Sequence, residues 1–305
     1  MQIVRPRSES KELLIMRSIN TRMNLSPSDK RYHFKLEKGY QGEQIFDQFT
    51  DKLKNDMYIL KDLRFKVDNS IFQIDTLIIF QETICPCEVK NYESDYEYIP
   101  ESEGFKSVSN NEDILNPLEQ LKRAMILLQK LLQNYGFHIP IEGNVVFVNP
   151  EFTLYNAPLN KPIILPTQLN RFMKKLNQTP SKLNGQHKKL ADLLISLHQS
   201  EPPYTQIPSY TYEQVKKGLI CALCHSFSIT VHGNKCECNQ CGHVEGLESA
   251  LLRSVGELKL LFPDMKITTN GVYEWCGVIE SKKRIRRILK KNFIAVGERH
   301  TRYFE

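Results

Sequence analysis

The sequence predicts a mixed α/β region followed by a small metal-stapled segment and a basic helical tail. Three observations carry this expectation. Strand-like runs at 57–67, 71–80 and 83–91 precede a long helical stripe from Pro117 and a buried strand at 144–148. QSEPPYTQIPSY (199–210) places three prolines in twelve residues. Five of the eight cysteines then crowd between Cys221 and Cys241.

The elements follow in order. Residues 8–24 carry Leu13, Leu14, Met16, Ile19 and Met23 at helical spacing, and residues 40–53 do so with Ile45, Phe46, Phe49 and Leu53. The three strand runs are bounded by the turn residues Asp68-Asn69 and Gln81-Glu82, which predicts an antiparallel meander. A polar stretch, 93–113, has room for a hairpin. Pro117 suits the first position of the next helix, where Leu118, Leu121, Met125, Leu128 and Leu132 form one stripe. That helix can return the strand Asn144–Val148 parallel to the earlier sheet. Helices near 168–177 and 183–198 close the region, and 199–214 reads as a linker.

Composition bounds the function. Hydrophobic residues make up 41% and charged residues 25% of 305 residues, as in a globular chain with room for about two domains of ~150 residues. Basic residues exceed acidic ones by 41 to 35, a mild net charge of +6 that does not by itself indicate nucleic acid. The longest apolar runs, such as Leu77-Ile78-Ile79-Phe80, are strand-sized and far below the ~18 residues of a membrane span. The start, MQIVRPRSESKELLIM, has no apolar core ahead of a small-residue cleavage site, so a cytoplasmic protein is expected. Clustered cysteines in such a compartment favour metal over disulfides.

The chemistry begins at Asp75. Side chains alternate along a strand, which places Asp75 with Leu77 and Ile79, and places Glu88 with Lys90 opposite Cys85, Cys87 and Val89. If the two strands pair as a hairpin, Asp75, Glu88 and Lys90 converge. Two carboxylates and a lysine offer oxygen ligands for Mg²⁺ and a cation beside an attacking water, the needs of metal-dependent phosphodiester hydrolysis. The plainer reading is a same-face ion pair, Glu88 with Lys90, and an Asp at a strand edge. Cys85 and Cys87 read as packing thiols. His33, His138, His187 and His198 form no motif, and His187 falls on a leucine stripe as a core or boundary residue.

Gly39-Tyr40-Gln41-Gly42-Glu43, Phe72-Gln73-Ile74-Asp75-Thr76-Leu77 and Glu88-Val89-Lys90-Asn91-Tyr92, with Asn116-Pro117 and Gln120 later, resemble the nuclease-related domain (NERD) of the PD-(D/E)XK nuclease superfamily. The resemblance covers roughly residues 1–180. It implies a restriction-endonuclease-like mixed sheet flanked by helices, a bacterial source, and a hydrolase with Asp75 and Glu88 as ligands of Mg²⁺ or Mn²⁺. By the same resemblance Lys90 orients or deprotonates the water, the Val89 carbonyl can complete the metal shell, and Glu43 assists a metal. Gln120, beside the apolar stripe, could reach substrate. As plain alternatives, Glu43 is an acid favoured by a helix N-terminus and Gln120 a polar flank.

Cys221-Ala-Leu-Cys224 and Cys238-Asn-Gln-Cys241 are two CxxC turns separated by 13 residues, a set that can close a tetrahedral Zn²⁺ shell. With short strands on either side of His232-Gly233-Asn234 they resemble a zinc ribbon, whose single Zn²⁺ is structural because four thiolates leave no open position. Cys236 could replace Cys238 only by breaking a CxxC turn, and is left out.

In SKKRIRRILKK, Ile285, Ile288 and Leu289 define one helix face and Lys283, Arg286, Arg287 and Lys290 the opposite one. Seven basic and no acidic residues lie between Lys282 and Lys291, so nothing within the helix offsets their repulsion. Two short helices and a possible strand pair, 293–296 and 300–304, resemble a winged helix-turn-helix, whose basic helix would meet nucleic-acid phosphates. The expected organisation is therefore a nuclease-like domain at 1–198, a linker at 199–214, a zinc ribbon at 215–245 and a winged-helix-like domain at 246–305. The expected activity is Mg²⁺-dependent cleavage of DNA, with no membrane partner. Competing readings are a non-catalytic DNA-binding or adaptor protein retaining the nuclease fold, and a basic helix that meets an acidic protein.

Overall fold

A computed structural model describes residues 1–200, 205–298 and 301–305. The chain divides into two compact units, Met1–Glu9 with Phe34–Tyr204 and Ser10–His33 with Thr205–Glu305. It opens with β1 (Gln2–Arg5), α1 (Lys11–Arg22) and α2 (Pro27–Thr50). The helix expected to start at Tyr40 starts thirteen residues earlier, where Pro27 takes the first turn and Ser26 Oγ accepts from the Asp29 amide at 3.2 Å. Residues 27–39 are mostly polar and partly or wholly exposed, and Tyr32, Phe34 and Leu36 at alternate positions make no helical apolar stripe.

In the first unit β2 (Tyr58–Val67), β3 (Ser70–Ile79) and β4 (Ile84–Lys90) form the expected antiparallel meander. A hairpin, β5 (Ser94–Ile99) and β6 (Gly104–Ser107), and the short β7 (Asp113–Ile114) lead into α3 (Pro117–Asn134). Asn116 caps α3 by accepting from the Leu118 amide at 2.9 Å. β8 (Asn144–Phe147) returns parallel to β4, as expected, and β9 (Phe152–Tyr155) and β10 (Ile163–Ile164) follow. The main sheet runs β1-β2-β3-β4-β8-β10 with both parallel and antiparallel pairs, beside a smaller sheet β7-β6-β5-β9. α4 (Leu169–Gln178) and α5 (Gly185–Leu197) complete the unit.

Helices cover both faces of the main sheet. Leu128 and Leu132 of α3 and Leu190 and Leu194 of α5 pack with Leu77, Ile79 and Ile84, while Phe46 of α2 and Phe172 of α4 pack with Ile78, Cys85, Cys87 and Val89. This is the mixed sheet flanked by helices that the sequence predicts, and Cys85 and Cys87 are packing thiols on the α2 side. His187 is a buried boundary residue whose Nδ1 accepts from the Asn184 amide at 3.0 Å.

The second unit contains α1, which differs from the expected division at residue 198. Leu13, Met16 and Ile19 bury α1 against α6 (Leu247–Leu261), and Arg22 ends it with Nε and Nη2 on the Glu257 carboxylate at 2.8 and 2.6 Å. A three-stranded sheet of β11 (Ile229–His232), β12 (Lys235–Cys238) and β13 (Val244–Gly246) runs directly into α6, so no linker separates the expected ribbon from the helical tail. α7 (Thr269–Cys276), α8 (Lys282–Asn292) and the paired β14 (Ala295–Val296) and β15 (Tyr303–Phe304) follow. Of the expected linker, residues 201–204 lie outside the described residues, as does residue 300 of the expected last strand.

Candidate functional site

The first unit's cleft forms where β3 and β4 part. Their ladder ends at Thr76 opposite Cys87. One step further the Asp75 carboxylate accepts from the Val89 amide at 2.8 Å, so a side chain takes the place of the next backbone acceptor. Strict alternation is interrupted here. Ile74 and Leu77 pack in one cluster, as do Leu60 and Leu63 on β2, and Asp62 between the latter pair has φ 52°. β4, held on its far side by β8, carries Glu88 and Lys90, with Lys90 Nζ 2.6 Å from Glu88 Oε1.

The cleft encloses about 1220 Å³. Asp75, Glu88, Lys90, Glu43 and Gln120 all line it, so each candidate residue of the nuclease site arrives at one place. Glu43 is in the middle of α2, which removes the helix-start explanation for it. It is ion-paired to Arg7 Nη1. Gln120 faces the cleft from the first turns of α3, and its buried Oε1 has no hydrogen-bond partner among the described residues.

Crowded carboxylates show in their acidities. Burial, then the charge of Asp75, pushes Glu88 up to about 7, against the pull of Lys90. Burial also raises Asp75, opposed by Lys90 and by the Val89 amide. Burial works against the charge on Lys90, but Glu88, Tyr92 and Asp75 outweigh it and raise the ammonium. The buried Asp75 and half-buried Glu88 carboxylates, which repel each other and share Lys90 as a cation, and the Gln120 oxygen are hard oxygen donors of the kind that suits a divalent metal.

Sequence reasoning missed several neighbours. Arg7 and Asp47 form a buried pair behind Glu43, with Arg7 Nε 3.0 Å from Asp47 Oδ2. Their positions share no spacing with the motifs and gave no signal. Tyr92 stacks on Tyr96 with ring centroids 5.3 Å apart and lines the cleft. Asn91 donates to the Lys38 carbonyl at 2.8 Å and ties β4 to α2. Both stood inside a quoted motif without a role.

In the second unit Cys221, Cys224, Cys238 and Cys241 bring one sulfur each within 4.8 Å of the others. Cys221 and Cys241 sulfurs are 3.6 Å apart and Cys224 and Cys238 sulfurs 3.5 Å. A tetrahedron with metal–sulfur bonds of about 2.3 Å has edges of about 3.8 Å. This cluster can therefore hold one zinc-sized ion. The Cys241 amide, donating to Cys238 sulfur, leads the effects that hold that thiol down at about 7, towards the thiolate a metal needs. Cys236 is outside the cluster, buried between β11 and β13, with its thiol raised to about 11 chiefly by burial.

On α8, Ile285, Ile288 and Leu289 are buried while Lys283, Arg286, Arg287 and Lys290 are exposed, the two faces the sequence predicts. Other basic residues of the helix are engaged: Lys291 with Glu248 at 2.9 Å, and Arg284 with Asn234 Oδ1 at 3.0 Å in the β11–β12 turn. Among the described residues no helix is long and apolar enough to cross a membrane.

Among known proteins, no curated protein and no solved structure matches the chain. Residues 38–148, which carry α2 from Lys38 onward, the β2-β3-β4 meander, α3 and β8, do match a protein family. The matching family is the nuclease-related domain, NERD, and Glu43, Asp75, Glu88, Lys90 and Gln120 all lie within the matched segment.

Proposed function

We propose that the first unit is a metal-dependent nuclease acting on DNA. The observation that carries the reading is the convergence of Asp75, Glu88, Lys90 and the unpartnered Gln120 oxygen in one cleft of a nuclease-related domain. Asp75 and Glu88 would hold a Mg²⁺ or Mn²⁺ ion, which when bound would supply Lewis acidity to a phosphoryl oxygen. Val89 contributes by fixing Asp75 through its amide. Lys90, fastened by Glu88, would orient the attacking water and offset the charge developing on the phosphate. Gln120 accepts from a water or a substrate group. Lys35 and Arg123 at the cleft's edges meet phosphates, and the Tyr92–Tyr96 stack offers bases an aromatic surface.

In the second unit the four cysteines hold one structural Zn²⁺, and the three helices with the terminal strand pair act as a winged-helix-like module. Its α8 presents Lys283, Arg286, Arg287 and Lys290 to the DNA backbone.

Incubation of the full chain with circular and linear DNA tests the activity. Cleavage is expected with Mg²⁺ or Mn²⁺, none with chelator, and a loss of at least about a hundredfold in Asp75→Asn and Glu88→Gln. Cleavage that survives chelator or both substitutions would refute it.

A further inference from the structure

Arg7 lies outside the matched segment and outside every motif, yet its side chain is only 4% exposed. Its guanidinium distributes its donors over two acids and one strand. Nε and Nη2 hold the two Asp47 oxygens at 3.0 and 3.3 Å, and Nη1 holds Glu43. Nη2 also reaches the Asp75 carbonyl at 2.8 Å and the Thr76 hydroxyl at 3.3 Å. Asp47 has a second cation, Lys61, whose Nζ is 3.4 Å from Oδ1. Without Arg7, Glu43, Asp75 and Glu88 would be three carboxylates on one cleft with Lys90 as a neighbouring cation. Such a set has enough oxygen donors for two divalent ions.

Building on the nuclease reading, we propose that Arg7 is a built-in second cation of the cleft. It engages the Glu43 carboxyl and fixes the strand at Asp75, so that the cleft takes a single divalent ion through Asp75 and Glu88 and Glu43 is not a metal ligand. Arg7 is a positioning residue, since it acts through Glu43 and the Asp75 backbone.

The test is a titration of the zinc-loaded full chain with Mn²⁺ alone, counting bound ions from the loss of the free-ion paramagnetic resonance signal. Sites absent from the Asp75→Asn, Glu88→Gln double variant are the cleft's own. Wild type should bind one ion there, and Arg7→Lys, which keeps the charge, also one. Arg7→Met should bind two, or one at least about tenfold more tightly. Glu43→Gln should still bind one, with affinity within about threefold of wild type. Two ions in wild type, one ion at unchanged or weaker affinity in Arg7→Met, or a loss of about tenfold in Glu43→Gln would each overturn the proposal. If Arg7→Met does not fold, Glu43→Gln carries the test. No cleft ion in wild type removes the nuclease reading and this proposal together, whereas two ions remove this proposal alone.

Discussion

At Gly42 a side chain would overlap the Cβ of Asn91, the residue that follows Lys90 and ties β4 to α2. Alanine gains about 1 kcal/mol of helix propensity over glycine, but forcing a methyl into a filled space costs about 1–3 kcal/mol. The clash should win. Gly42→Ala is expected to lower unfolding free energy by about 1 kcal/mol in urea titrations, and a more stable variant would contradict the packing described. At this scale the site was partly legible. Asp75, Glu88 and Lys90 sit on adjacent strands of a meander, where a short turn brings sequence neighbours together. Alternation placed Glu88 with Lys90, but not Asp75 with Leu77 and Ile79, because Ile74 takes that face and Asp75 turns to the Val89 amide. Arg7 is 68 residues from Asp75 and no periodicity links them, so only the tertiary fold reveals it.

At the scale of elements, buried periodicity was the legible signal. α3, with its cap and apolar stripe, follows the sequence reading closely, whereas the first half of α2 is mostly polar, partly or wholly exposed, and left no stripe to read. The CxxC spacing was sufficient for the cysteine cluster because each turn delivers two sulfurs locally. Serine at Cys238 should release or greatly weaken one zinc per chain, and serine at Cys236 should leave it in place, as measured by elemental analysis of protein purified without added metal. Equal zinc in both variants would refute the assignment. For α8, each phosphate contact adds about 0.9 to the slope of log affinity against log salt on duplex DNA. Replacing Arg286 and Arg287 with alanine should lower that slope by nearly two and weaken binding, while an unchanged slope would transfer the basic face to an acidic protein partner.

At the scale of the whole molecule, chain order misled in one respect. α1 precedes the nuclease-related segment, yet its apolar side and Arg22 complete the second unit through α6 and Glu257, contacts more than 200 residues away in sequence. Proximity along the chain favours assigning a helix to its nearest neighbours, and no local feature of α1 signals a distant partner. The molecule thus keeps a carboxylate-lined cleft in one unit and a cysteine cluster with a basic helix in the other. Catalysis should depend on the first and substrate affinity should draw on the second. The most direct measurement is cleavage of labelled DNA by wild type and Lys90→Ala at equal protein and Mg²⁺, with DNA binding measured on the same samples. Wild type should cleave and Lys90→Ala should lose cleavage by at least about a hundredfold while binding within about threefold of wild type. Equal cleavage by the two proteins, or none by wild type with Mg²⁺ or Mn²⁺, would contradict the account.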